Sequence, residues 1–153
     1  MEPGMPSEQV LLEELRRRRV DLRESISALE QALAAPAPGR PGGWAQQVRV
    51  ALAELSADFR EHIEITEGPS GLYHGLLGTA PRLSNAVVRL AREHAQICGL
   101  IDDLLARASG PDIGDVDAVR DLGMALLASL VRHRQRGSDL VYEAYAVDIG
   151  GET

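Results

Sequence analysis

A chain of 153 residues with 44% hydrophobic and 25% charged residues is the size and composition of one ordinary globular domain. Its net charge of -7 argues against a nucleic-acid surface, and the one basic run, Arg16-Arg17-Arg18-Arg19, has acids on both sides. A single cysteine excludes an internal disulfide, and no apolar run approaches the ~20 residues of a membrane span. The first residues, Met1 to Ser7, lack the basic and apolar regions of a signal peptide, so a cytoplasmic location is expected.

Ser7 is a candidate N-cap for a first helix, with Glu8 suited to the positive end of its dipole. Leu11, Leu15, Leu22, Ile26, Leu29 and Leu33 then recur at three- and four-residue intervals, with Arg19 filling the one gap. That is a long amphipathic helix of roughly seven turns. Ala35-Pro-Ala-Pro-Gly-Arg-Pro-Gly-Gly43 stops it. A second helix is predicted from Trp44 to Glu67, with Val48, Leu52, Leu55, Phe59, His62 and Ile65 or Thr66 inward.

Gly68-Pro-Ser-Gly71 ends the second helix, and a turn-rich piece from Leu72 to Gly78 follows, with His74 expected in solvent. Pro81 is placed to open a third helix ending near Ser109-Gly110-Pro111. On that helix Leu90, Ile97, Ile101 and Leu104 form an apolar stripe that also carries His94 and Cys98. Asp115 or Asp117 starts a fourth helix, with Val119, Leu122, Leu126, Leu130, His133, Leu140, Val141 and Ala144 inward. No strand is predicted. The expected fold is all-α: an antiparallel up-down four-helix bundle over residues 7–148, with flexible termini at 1–6 and 149–153.

Three of the four histidines, His62, His94 and His133, thus occupy core-facing positions on three successive long helices. A single inward imidazole usually satisfies itself with one hydrogen bond. Three of them, with a thiol one turn from His94, are ligands that iron, zinc and copper accept. The helix spacings also repeat. Leu15-x3-Arg19-x2-Leu22 parallels Leu90-x3-His94-x2-Ile97, and Leu55-x3-Phe59-x2-His62 parallels Leu126-x3-Leu130-x2-His133.

From Leu11 to Tyr145 the chain resembles the hemerythrin-like (HHE) family, through Phe59-Arg-Glu-His62, Glu93-His94, Leu130-Val-Arg-His133 and the tyrosines Tyr73 and Tyr142 downstream. The resemblance implies a hemerythrin-like bundle around a non-haem di-iron centre, used for oxygen binding, sensing or oxidative chemistry. This chain departs from the pattern at several ligand positions. Arg19 stands where the first helix would supply histidine, and Thr66 where the second would supply a carboxylate, with Glu67 next. Cys98 replaces the second histidine of the third helix. Gly137 and Ser138 follow His133 where a carboxylate is expected, with Asp139 one residue further. A π-bulge would be needed to return Glu67 or Asp139 to the interior.

Without bridging carboxylates in register, the expectation is one metal ion rather than two, held by His94, Cys98 and His133, with His62 or Glu67 as a fourth ligand. Iron is the expected ion, with zinc and copper as alternatives, and a redox, gas-sensing or oxidative role follows, with a small gaseous or organic molecule as ligand. The competing reading is a metal-free bundle binding an organic cofactor such as haem, for which Gly137 would leave room, or a partner protein. In that reading Arg19 pairs with Glu67 where a metal would sit. Arg134 and Arg136 are expected on a solvated face with Asp139 and Glu143. A homodimer is compatible with the many apolar positions, and neither composition nor motif decides whether the protein is an enzyme.

Overall fold

The structure, a computed structural model, describes residues 8–37, 41–109 and 115–144. Four long helices account for nearly all of them: α1 (Glu8–Ala34), α2 (Pro41–Glu67), α4 (Ser84–Ala108) and α5 (Val116–Tyr142). A short helix, α3 (Leu72–Thr79), and a 3-10 turn at Pro81–Leu83 link α2 to α4. The predicted all-α four-helix bundle is therefore the observed fold. Ser7, Gly110, Pro111 and the two expected flexible termini lie outside the described residues.

Helix α1 packs along α2 and α4 along α5, while α2 meets α4 and α1 meets α5, which closes the ring of a bundle. The heptad-like leucines do what their spacing predicts: Leu22, Leu29, Leu52, Leu55, Ile97, Ile101, Leu104, Leu126 and Leu130 are all buried. They form one core cluster with Phe59 and Trp44. At about 25 cal/mol per Å² such burial is the dominant stabilising contribution in a helical bundle.

The ends are finished by side chains. Asp115 accepts a hydrogen bond from the Ala118 N–H at 3.2 Å, the N-cap expected for the last long helix. Arg120 donates to the carbonyls of Leu33 and Ala35, both at 2.9 Å, and its guanidinium stands 5.3 Å from the Trp44 ring centroid. It thereby occupies acceptors that the end of α1 leaves open. Arg49 does the same for α4, donating to Ala108 O at 2.7 Å.

The segment expected to be turn-rich is helical. Gly75 and Gly78 disfavour a helix locally, but Leu72, Tyr73 and Leu76 are buried against Leu15, Leu83, Val87, Leu90 and Leu140. Tertiary packing decides the matter, and the result is a lid over one end of the bundle. His74 points away from it and is exposed, as predicted. Among the described residues no helix is long and apolar enough to cross a membrane.

Candidate metal centre

The three inward histidines converge. One ring nitrogen from each of His62, His94 and His133 lies within 4.8 Å of the others, between the main core cluster and the cluster under α3. His94 and His133 are buried and His62 is half-buried. Phe59, one turn before His62, forms the floor, its ring centroid 5.6 Å from His62 and His94 and 5.9 Å from His133. Tyr73 from α3 forms the roof, stacked on His94 at 5.9 Å and 12°. Thr66, which lines the same cavity as Tyr73, donates to His62 O at 2.8 Å.

Two carboxylates orient the rings from behind. The Nδ1 of His133 lies 2.8 Å from Glu93 Oε1, and the Nδ1 of His94 lies 2.5 Å from Glu67 Oε2. A carboxylate in that position accepts Nδ1–H, which leaves a bare lone pair on Nε2. Glu93 is in turn held by an ion pair with Arg136. His94 Nε2 is buried and has no hydrogen-bond partner among the described residues. His62 Nε2 and His133 Nε2 face each other at 3.3 Å.

Electrostatics keep all three rings neutral. Burial is the main cause, taking His62 and His94 from the ordinary 6.5 to about 3; mutual repulsion adds to it, as does Arg19 for His62. His133 is also lowered by burial, opposed by its hydrogen bond to Glu93. Neutral imidazole is the form that binds a metal.

The donor set fits one ion. Two nitrogens bound at 2.0–2.1 Å with a tetrahedral angle between them stand about 3.3–3.4 Å apart, which is the separation of the His62 and His133 nitrogens. The unsatisfied His94 Nε2 supplies a third donor, and the carboxylates behind His94 and His133 are the outer partners that metal-bound histidines require. Among the described residues no further histidine, cysteine or carboxylate joins the group.

The five residues expected to form the site are therefore placed differently from one another. His62, His94 and His133 are brought together. Glu67 contacts the far side of His94, as an orienting partner. Cys98 is not in the gathered group: half-buried, it packs at the margin of the main core, and burial raises its thiol pKa. The supposed pairing of Arg19 with Glu67 is absent, since Glu67 is on His94 and Arg19 has no carboxylate partner among the described residues. Arg136, expected on a solvated face with Asp139, instead pairs with Glu93, while Asp139 is exposed and takes a hydrogen bond from Gln135.

Glu93 is the residue that sequence reasoning passed over as a site member. Its partner is 40 residues away on another helix, so no local spacing announces it. Its place directly before His94 was the available signal.

On the other side of the histidines lies a cavity of about 50 Å³ between α1, α2, α3 and α5, reached by His62, His133, Tyr73, Arg19 and Gly137. A Cβ on Gly137 would meet nothing within 4 Å. This volume admits a few atoms and is far below the ~300 Å³ at which pockets for larger organic ligands begin, so it does not offer room for a haem.

A helical bundle with histidines gathered in its interior and carboxylates behind them defines a class, the cation-binding helical bundles. The family description that matches is the hemerythrin HHE cation binding domain, over residues 12–145. The chain belongs to that family. Comparison with curated proteins and with solved structures finds no match.

Proposed function

We propose that this protein holds one transition-metal ion on His62, His94 and His133 and uses it for redox, gas-sensing or oxidative chemistry. The observation that carries the reading is the buried, unpartnered Nε2 of His94 beside two Nε2 atoms 3.3 Å apart. A buried polar atom without a partner costs ~1–3 kcal/mol, and an ion shared by three nitrogens removes that cost. Membership of a cation-binding family supports the same reading.

Iron is the ion we propose, with zinc or copper as the competitors that three imidazoles also suit. A second ion is not part of the proposal. Arg19 and Thr66 occupy the positions from which α1 and α2 would serve it, and Glu67 and Glu93 are engaged as partners of histidines. When bound, a metal with three protein ligands keeps an open position for a small molecule. The chain's own part is to keep the imidazoles neutral, fix their tautomers through Glu67 and Glu93, and wall the site with Phe59 and Tyr73.

The test is elemental analysis of the full chain purified without a metal-affinity tag, and again after anaerobic reconstitution with ferrous iron, zinc or copper. About one equivalent per chain is expected for a single site, with loss of the ion in His94→Ala and His133→Ala at unchanged helicity. No bound metal after reconstitution overturns the proposal.

A further inference from the structure

We infer that the cavity beside the histidines is a binding site for a short-chain monocarboxylate, whose carboxylate is held by Arg19. The cavity lies between α1 and α5 under the lid helix α3. Three arginines line it: Arg19 and Arg23 from α1, and Arg134 from α5. Arg23 and Arg134 are exposed and, like several other exposed arginines, have no partner among the described residues. Arg19 differs, because the other half-buried arginines, Arg18, Arg49, Arg120 and Arg136, all reach a carboxylate or a carbonyl and Arg19 reaches neither. Yet the chain carries 23 acidic residues against 16 basic ones. In a protein with acids to spare, a cavity lined by three arginines and no carboxylate is set up for an anion from outside.

Arg19 is the focus. It is half-buried, and the charges that act on it are Arg23, Arg16 and Arg134, all of its own sign. A partly desolvated guanidinium without a counter-ion is unfavourable, and its planar fork matches a carboxylate in two parallel hydrogen bonds. Arg23 and Arg134 are exposed, so the cavity reaches solvent on their side and an anion is drawn in there.

The remaining walls say what the anion is attached to. Leu15, Leu22, Ile26, Leu130 and Leu140 make the interior mostly apolar, and the Tyr73, Thr66 and Ser138 side chains supply its hydroxyls. About 50 Å³ admits a body of a few atoms. Propionate meets both requirements, with its ethyl group against the leucines. His62 and His133, two of the proposed metal ligands, also border the cavity, but the ligand is held by Arg19 and the apolar walls and does not require an ion on the histidines.

The test is titration of the full chain, as purified, with sodium propionate at constant ionic strength, followed by amide NMR shifts and calorimetry. Inorganic phosphate and 1-propanol are the controls for charge without an apolar body and for an apolar body without charge. Saturable propionate binding is expected, at least tenfold tighter than either control, and weakened at least tenfold in Arg19→Gln. Gly137→Leu, whose new side chain has open space to enter, is expected to abolish binding while leaving the fold intact, and decides the matter if Arg19→Gln does not fold. Chelator-treated protein is expected to bind as well as untreated protein. Absence of saturation, equal binding of phosphate or propanol, unchanged affinity in both variants, or loss of binding on chelation each overturns the inference. The last result would place the anion on a metal and leave the metal proposal standing.

Discussion

Glu93 Oε1 stands 2.8 Å from His133 Nδ1 across the α4–α5 interface, only 12% exposed and clamped by Arg136. The chain Arg136–Glu93–His133 passes from the surface to the centre of the bundle. It fixes which nitrogen of His133 carries the proton, and so which one is free to face His62. Replacing Glu93 by Gln keeps the shape but removes the charge. The metal-loaded Glu93→Gln protein is expected to bind its ion about 10–100-fold more weakly, the usual cost of losing an outer partner. Competition with a chromophoric chelator measures it, and an affinity within twofold of wild type would remove Glu93 from the site.

The histidines also set the pH response of the metal-free protein. His62 and His94 titrate near 6.5 when unfolded and at about 3 when folded. Between those values the unfolded chain binds more protons, so stability rises with pH across that window. Their contribution is fully present above about 6.5 and is lost as the pH falls toward 3. A group that titrates one pH unit lower in the folded chain than in the unfolded one contributes ~1.4 kcal/mol, so the loss at pH 4 amounts to a few kcal/mol. Urea melts of the metal-free chain from pH 4 to 8 are expected to show a midpoint that falls steeply below pH 6.5. A His62→Phe variant is expected to flatten that fall; an unchanged slope would mean that His62 is not buried neutral.

Much of this was legible in the sequence, because a helix writes its buried face at a fixed spacing. Leu22, Leu29, Leu52, Leu55, Ile97, Ile101, Leu126 and Leu130 were placed inward by period alone, and His62, His94 and His133 by sharing it. What spacing handles poorly is the edge of a face. A four-residue step advances ~40° around a helix, so His94 sits at the margin of the Leu90–Ile97–Ile101 line and Cys98 beyond it, half-buried. Pairings between helices were not legible at all. Glu93 with His133, and Arg120 with the end of α1, join residues 40 and about 85 apart. The α3 lid was hidden because its glycines point one way locally and its buried Leu72, Tyr73 and Leu76 point the other.

The position of Cys98 gives a sharp test of the ligand set. If three histidines suffice, Cys98→Ser keeps about one equivalent of metal, and the loaded protein shows no sulfur-to-metal charge-transfer band. If the thiol moves in to ligate, the substitution loses the ion and the band is present in wild type. X-ray absorption at the metal edge separates the two outcomes directly, since a sulfur ligand stands at about 2.3 Å and nitrogen at about 2.0–2.1 Å.

Two glycines of α5 are expected to respond oppositely to the same substitution. A Cβ on Gly123 would stand 2.4 Å from Leu33 Cδ1 and 2.9 Å from Cδ2. Leu33 is itself 3% exposed and enclosed by the core, so it has little room to give. The gain in helix propensity, ~1 kcal/mol, is outweighed by overpacking worth ~1–3 kcal/mol, and Gly123→Ala is expected to be destabilising. Gly137 faces the cavity, where a Cβ meets nothing within 4 Å. There the propensity acts alone, and Gly137→Ala is expected to stabilise the chain by up to ~1 kcal/mol. Urea melts of both variants in metal-free form, at about pH 7.5 where the histidines are largely neutral in either state, measure the two signs. A stabilised Gly123→Ala would mean that α1 and α5 separate readily at Leu33. A destabilised Gly137→Ala would mean that the cavity wall is closed against even one methyl group.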